Sequence, residues 1–284
     1  MIIGYKKDLD GVIRAAVALK KNPEATMVCG TNARELKEKL AMYHGEIVMN
    51  VDEVVKDVPF HIKAELWIRM PSCGPMQRGL SLGSYITYAL RNDQCIPNEL
   101  VRLVARHYPN NFMAILAHKD STAKKYYRLQ RETAGELERI KSYCRFRLSG
   151  DMLYVEVSPK HDIQDLFMEW AVRRNGDRVI VVKCHAEYYI LNARALGYKA
   201  EIANVTKEEA ERLFGDIPET DSTIWDTFYD SQNVESRRNK RYAKARLPEK
   251  YSYISPEIRK ERKKIEHGIP SNTLDDFRSD GRLP

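Results

Sequence analysis

The residue types best suited to catalysis are a histidine and a carboxylate side by side, His161 and Asp162. A histidine can act as a general base near neutral pH, and a neighbouring carboxylate can orient its ring. Glu136, three residues before Arg139, is a further acidic candidate. The same residues also fit a structural interpretation, in which Asp162 caps a helix and His161 is exposed. A His-Asp pair defines no reaction without a nucleophile or a metal, so both interpretations stay open.

A second group of residues could hold phosphate. Its members are cations around a predicted helix end and the strand that follows: Arg139, Lys141, Arg145 and Arg147. Residues 144–157 contain two strand patterns around a Ser-Gly-Asp loop and predict a β-hairpin. Side chains alternate along a strand, so Arg145 and Arg147 are expected on one face, available to phosphates. In the alternative interpretation these arginines form a surface ladder with Glu156 across the hairpin.

The densest charge lies near the carboxyl end. Residues 236–264 contain twelve Lys and Arg and three acids, a net charge of +9, whereas the whole chain carries +7. The rest of the chain therefore carries a net charge of −2. Concentrated positive charge attracts a polyanion through counterion release, and nucleic acid is the commonest such partner. The alternative is a solvated tail that only aids solubility.

Tyrosines interleave with the cations of this basic segment, which is the composition of a groove for single-stranded nucleic acid. We therefore predict nucleic-acid contacts for eight of its residues: Arg237, Arg238, Asn239, Lys240, Arg241, Lys244, Arg246 and Tyr251. Residues 256–284 are expected to form a basic, flexible tail that orders on binding.

The overall composition describes a globular chain. Of 284 residues, 43% are hydrophobic and 31% charged. No apolar run approaches the roughly 18 residues that span a bilayer, and the first residues lack a signal-peptide core. The five cysteines are scattered, without a C-x-x-C pair. These features predict a cytoplasmic protein with reduced thiols, and the sequence identifies no cofactor.

The predicted fold is α+β. Two strand-helix steps in the first fifty residues, with Asp10 as a candidate N-cap, favour a small α/β layer at the amino end. A long helix is predicted over 120–141, followed by the hairpin and a helix beginning after Asp162. Strand patterns at 179–182 and 188–191 complete a largely antiparallel sheet with flanking helices. We therefore divide the chain into an α/β and helical part (1–118), an α+β part (119–255) and the basic tail (256–284).

Three stretches resemble an uncharacterised bacterial family whose members are called probable DNA metabolism proteins. These are residues 136–146 (ELERIKSYCRF), 154–163 (YVEVSPKHDI), and a block running from Trp225 through Arg237-Arg238-Asn239 to Tyr251. Their order and spacing agree with the family. Members of the family are typically encoded beside a radical-SAM protein and are often fused to a uracil-DNA-glycosylase-like domain. The resemblance implies DNA repair or base modification with a radical-SAM partner.

The chain departs from the family pattern at several positions. Glu138 stands where the family usually has His, Lys240 where it has Pro, and Ser252 where it has Trp. These departures leave open whether this chain is itself catalytic.

Signatures of several nucleic-acid enzymes are absent from the sequence. It has no G-Q-D-P-Y-like motif, no P-loop, no zinc-deaminase motif and no three-cysteine radical-SAM motif. Our leading hypothesis is a protein that binds DNA, with RNA the less favoured partner, while another protein supplies the reaction. The alternative is a glycosylase-like or nuclease-like hydrolase that uses Glu136, His161 and Asp162. A third hypothesis is an interaction protein whose basic tail docks an acidic partner other than DNA.

Overall fold

The structure, a computed structural model, describes residues 1–54, 81–109 and 111–215 together with 251 and 254. The chain divides into two compact units. Unit 1 comprises Met1–Glu136 and Lys160–Ile163, and unit 2 comprises Leu137–Pro159 and Gln164–Pro284. The predicted α+β class is confirmed, since these described residues form two sheets and both are accompanied by helices. The predicted domain boundaries remain predictions, and the tail over 256–284 lies outside the described residues.

Unit 1 begins with a small parallel sheet. Its elements are β1 (Ile2–Lys6), α1 (Leu9–Lys21), β2 (Thr26–Gly30), α2 (Ala33–Leu40) and β3 (Val48–Asn50). The strands lie in the order β2-β1-β3, with both neighbours parallel to β1. Parallel strands need a crossover connection, and the helices between these strands in the sequence provide it. Asp8, and not Asp10, caps α1, because its Oδ1 accepts a hydrogen bond from the Gly11 N–H.

Further helices of unit 1 lie in its described part. They are α3 (Val51–Val54), α4 (Leu82–Leu90), α5 (Pro97–His107), α6 (Met113–Leu116) and the first part of α7 (Ser121–Tyr143). Their apolar faces pack on β1 and α1 in one core, in which Tyr5, Val12 and Tyr85 are fully buried. Burial of these large side chains supplies the main stabilisation of the unit.

Unit 2 contains the second sheet. Its elements are β4 (Arg147–Ser149), β5 (Met152–Val157), α8 (Gln164–Asn175), β6 (Ile180–Cys184), β7 (Glu187–Leu191), β8 (Ile202–Val205) and α9 (Lys207–Phe214). The strands lie in chain order. Every neighbouring pair is antiparallel except β5 and β6, which α8 connects as a crossover. The largely antiparallel sheet is therefore confirmed.

The predicted hairpin is present, but its first strand is shorter than the sequence pattern indicates. Strand β4 begins at Arg147, not at residue 144. The Cys144 N–H still bonds the Ile140 carbonyl, which extends the hydrogen bonding of α7. The guanidinium of Arg145 donates to the carbonyl oxygens of Ser142 and Cys144, both at 3.2 Å. These bonds satisfy acceptors at the helix end and keep residues 144–146 out of the sheet.

Within the described ranges, no helix combines the length and the apolar character that crossing a bilayer requires.

Candidate functional site

A buried carboxylate helps to hold the loop Lys160–Ile163 in unit 1. Glu136, on α7, is 3% exposed. Its Oε1 accepts the backbone N–H of Lys160 at 3.2 Å, and its Oε2 accepts that of His161 at 3.0 Å. A buried carboxylate is tolerated where such donors surround it, and the loop amides need acceptors for the same reason. Glu136 is therefore occupied by backbone hydrogen bonds.

The His161 ring is buried and has a partner at each nitrogen. The residue is 6% exposed, its Nδ1 lies 3.1 Å from Asp93 Oδ1, and its Nε2 lies 3.4 Å from the Asn92 amide nitrogen. The Asp93 N–H also lies 3.5 Å from Nδ1, and the donor and acceptor roles of the two ring nitrogens depend on the tautomer. His161 is therefore buried, whereas the structural interpretation of the sequence expected it to be exposed.

Lys160 and Thr133 hold the two side chains that contact the His161 ring, the Asp93 carboxylate and the Asn92 amide. Lys160 Nζ lies 3.2 Å from Asp93 Oδ2. Partial burial of Asp93 favours its neutral form, but the hydrogen bond from Lys160 and the charge of His161 lower the pKa of this carboxyl below its usual value. The Asn92 amide also donates to Thr133 Oγ1 at 3.1 Å. The ring and both of its partners are therefore held in place.

Asp162 contributes to holding the loop through its backbone and not through its carboxylate. Its N–H donates to the Arg91 carbonyl at 2.9 Å, and its own carbonyl accepts from Arg91 Nη1 at 3.0 Å. The Asp162 side chain is exposed, and the carboxylate that orients the His161 ring is that of Asp93.

The three predicted catalytic residues therefore lie close together in unit 1, but their reactive groups do not form one open site. A general base must reach a substrate proton. His161 is buried with both nitrogens engaged, and Glu136 accepts two amides. The described parts of the chain hold no group of three or more His, Cys, Asp and Glu side chains placed for a metal ion. Catalysis by these residues remains a prediction.

Nothing in the local sequence indicates Asp93 or Asn92 as partners of His161. They follow α4 and lie 68 and 69 residues from the histidine. No local spacing connects residues so far apart, and only the path of the loop brings them together.

The four predicted phosphate-binding cations of unit 2 differ in their surroundings. Lys141 pairs with Glu138 at 3.0 Å, and Arg145 bonds the carbonyls at the end of α7. Arg139 is exposed and makes no ion pair within the described part of unit 2. Arg147 is exposed, and its guanidinium lies 5.2 Å from the centre of the Tyr154 ring. Arg139 and Arg147 are therefore the better placed to contact phosphate.

An arginine and an aromatic ring that the sequence did not single out as a binding group lie together on α8. The Arg174 guanidinium is 5.4 Å from the centre of the half-buried Trp170 ring, which packs against Phe146 and Phe167. Arginine above an aromatic face is a common arrangement on both structural and nucleic-acid-binding surfaces.

Most predicted contacts in the basic segment lie outside the described residues: Arg237, Arg238, Asn239, Lys240, Arg241, Lys244 and Arg246. Tyr251 is described and is 1% exposed, with its ring centre 5.9 Å from that of Tyr143, the last residue of α7. Ile254, also buried, donates its N–H to the Tyr251 carbonyl at 3.2 Å. A ring this deeply buried offers no open face to a base, so its position supports anchoring of the segment in unit 2.

Comparison with known proteins gives one family. A domain family of unknown function, DUF4130, matches residues 96–257, more than half of the chain. No curated protein matches the sequence. Among solved structures, the chain is similar to PggH, a pGpG-specific phosphodiesterase from Vibrio cholerae, at 10% identity and a TM-score of 0.39. That similarity covers 82% of this chain and 99% of the other, and it is too weak to carry an argument about function.

Replacing Glu136 with alanine should lower the free energy of unfolding by about 2 to 4 kcal/mol, because two buried amide donors lose their acceptor. Glu132→Ala, at an exposed position about one turn earlier on α7, should cost less than about 0.5 kcal/mol. Urea denaturation of the two variants measures the difference. Equal, small losses would show that the loop does not depend on Glu136.

Asp93→Asn should make the free energy of unfolding less dependent on pH in the acid range. The pKa of Asp93 is lowered in the folded protein, so its stabilising contribution is present above the unfolded pKa of about 4 and is lost as pH falls through the folded pKa. The difference in unfolding free energy between wild type and variant should therefore be larger at neutral pH than in acid. Asp162→Asn, at an exposed carboxylate, serves as the control, and a profile for Asp93→Asn as steep as that of wild type would contradict the ion-pair assignment.

Tyr251→Ala should lower the free energy of unfolding by about 3 kcal/mol, because it leaves a cavity beside Tyr143. Tyr43→Ala removes a ring that is 37% exposed and should cost less than about 1 kcal/mol. Thermal or urea unfolding compares the two variants. Equal stability of Tyr251→Ala and wild type would mean that this ring does not anchor the segment.

Proposed function

From the premise that the chain belongs to the DUF4130 family, we propose that it binds nucleic acid, DNA in preference to RNA, and acts in DNA repair or base modification. The phosphate backbone is held by the cations of the basic segment: Arg237, Arg238, Lys240, Arg241, Lys244 and Arg246. Arg139 and Arg147 of unit 2 add phosphate contacts in this proposal. Lys141 and Arg145 contribute positive charge while they remain bonded within the protein.

The observation that carries the proposal is the separation of charge along the chain. Residues 236–264 hold a net charge of +9 in a chain of +7. Neutralising phosphates with such cations releases counterions, and the resulting affinity does not depend on the nucleotide sequence. A polyanion is the partner that gains most from charge concentrated in this way.

The burial of Tyr251 supports a role beyond solubility. A tail that only keeps the chain in solution needs no attachment to the fold, whereas Tyr251 and Ile254 are buried in unit 2. Burial of these two residues is a structural role that a solubility tail does not need.

The chemical step is assigned to a partner. The resemblance of residues 136–146 and 154–163 to probable DNA metabolism proteins supports a radical-SAM protein in that role. The sequence lacks the three-cysteine motif that a radical-SAM enzyme needs for its own cluster. A cytoplasmic location belongs to the same proposal and is supported by the free thiols of the cysteines that the structure describes: Cys29, Cys95, Cys144 and Cys184.

A glycosylase-like or nuclease-like hydrolase is the second candidate function. One observation favours it, the 3.1 Å contact of His161 Nδ1 with Asp93, because a carboxylate behind a histidine is the usual support of a general base. The burial of that ring and the occupied Glu136 carboxylate make it the weaker candidate. Product formed from uracil-containing or damaged duplexes, and abolished in His161→Ala, would decide in its favour.

Binding to a short labelled duplex should weaken steeply as salt rises from about 50 to about 200 mM, because each neutralised phosphate releases counterions. The triple variant Arg237/Arg238/Arg241→Ala should bind more weakly. Its slope of log affinity against log salt should be flatter by about 0.9 for each phosphate that the variant no longer neutralises. Fluorescence anisotropy over a salt series measures both effects.

The matched control removes three exposed cations from unit 1, in the variant Lys21/Lys37/Lys119→Ala. Its formal charge falls by the same amount, and it should keep the wild-type slope. Affinity that does not respond to salt, or equal weakening in the two triple variants, would contradict phosphate binding by the basic segment.

A further inference from the structure

A cavity of about 780 Å³ lies in unit 1, where the end of α1, one face of α5 and the first turns of α7 meet. Its volume is in the range of small-molecule sites in proteins. The polar groups of its lining are mostly cationic or hydroxylic: Lys20, Arg102, Arg106, Lys125, Ser121 and Thr122. Apolar atoms come from Leu19, Pro23 and Ala105.

One acidic side chain, Glu99, also lines the cavity, and it already has a partner. Lys125 Nζ lies 2.5 Å from Glu99 Oε2, and the hydrogen bond from Lys125 lowers the pKa of that carboxyl. The Tyr126 hydroxyl donates to the same oxygen at 3.1 Å. Glu99 is therefore ionised and makes its ion pair with Lys125, while the charge of Arg102 acts on it without an ion-pair contact.

Three of the lining cations make no ion pair within the described part of the chain. Lys20, Arg102 and Arg106 are exposed and extend from two different helices, α1 and α5. Like charges around one concave surface repel each other, and a bound anion relieves that repulsion. Guanidinium groups match the oxygens of a phosphoryl group in two-pronged hydrogen bonds.

The start of α7 adds hydroxyl donors at the same cavity but does not by itself define a site. Asp120 bonds the Ala123 N–H at 2.7 Å and lies 3.4 Å from His107 Nε2, so part of the helix end is already capped. Ser121 and Thr122, which line the cavity, have hydroxyl groups that can donate to an anion.

We propose that this cavity binds a small organic phosphate, with the phosphoryl group held by Lys20, Arg102 and Arg106. The carbon skeleton of the ligand rests against Leu19, Pro23 and Ala105. Because the lining combines cations with apolar atoms, an organic phosphate gains more than inorganic phosphate does. This site is separate from the basic segment and does not depend on the proposed nucleic-acid function.

Isothermal titration of the full chain with inorganic phosphate and with phenyl phosphate tests the proposal. Phenyl phosphate should bind about tenfold more tightly than inorganic phosphate, because its ring leaves water and contacts Leu19, Pro23 and Ala105. Arg102→Gln and Arg106→Gln should each weaken its binding about tenfold or more, whereas Arg102→Lys should retain part of the affinity. Circular dichroism confirms that each variant is folded.

Arg128→Gln is the matched control, because Arg128 is an exposed cation on α7 that does not line the cavity. It should bind phenyl phosphate as wild type does. No binding to wild type, or equal weakening in Arg128→Gln, would overturn the proposal, the second result showing a general attraction to positive charge. Affinity of Arg102→Gln for duplex DNA should be unchanged, and a parallel loss of DNA binding would overturn the claim of a separate site.

Discussion

A single buried carboxylate determines how the loop after β5 is held. Glu136 accepts the N–H groups of Lys160 and His161, so a short piece of chain from beyond the hairpin becomes part of unit 1. The same loop makes further contacts within unit 1. The His161 ring reaches Asp93, and the backbone of Asp162 bonds Arg91. Residues of the types needed for acid-base catalysis therefore make contacts that hold this loop.

The proposed function rests on long-range electrostatics and not on a catalytic constellation. A net charge of +9 over residues 236–264 outweighs the −2 of all other residues. Within that segment, Tyr251 is buried and its ring packs near that of Tyr143. The phosphate site proposed in unit 1 uses the same physical principle on a smaller scale, because Lys20, Arg102 and Arg106 line the cavity and make no ion pair among the described residues.

Local patterns predicted much of the fold. The buried run that forms β6 and the alternating burial of β5 follow directly from residue types, because side chains alternate across a strand. Long-range contacts could not be predicted in this way. Nothing near His161 in sequence indicates Asp93, and an aromatic among cations has the same local pattern whether it is exposed to bases or, like Tyr251, buried. The capping of α7 by Arg145 shows a third limit, since an arginine beside a strand pattern can bond a helix end as well as a phosphate.

Lysine footprinting tests the central claim most directly. The full chain is acetylated with and without a DNA duplex, and the modified lysines are quantified by mass spectrometry. The account predicts that DNA protects Lys240, Lys244 and Lys250, while Lys21 and Lys37 of unit 1 react equally in both samples. Protection confined to unit 1, or no protection within residues 236–264, would contradict it.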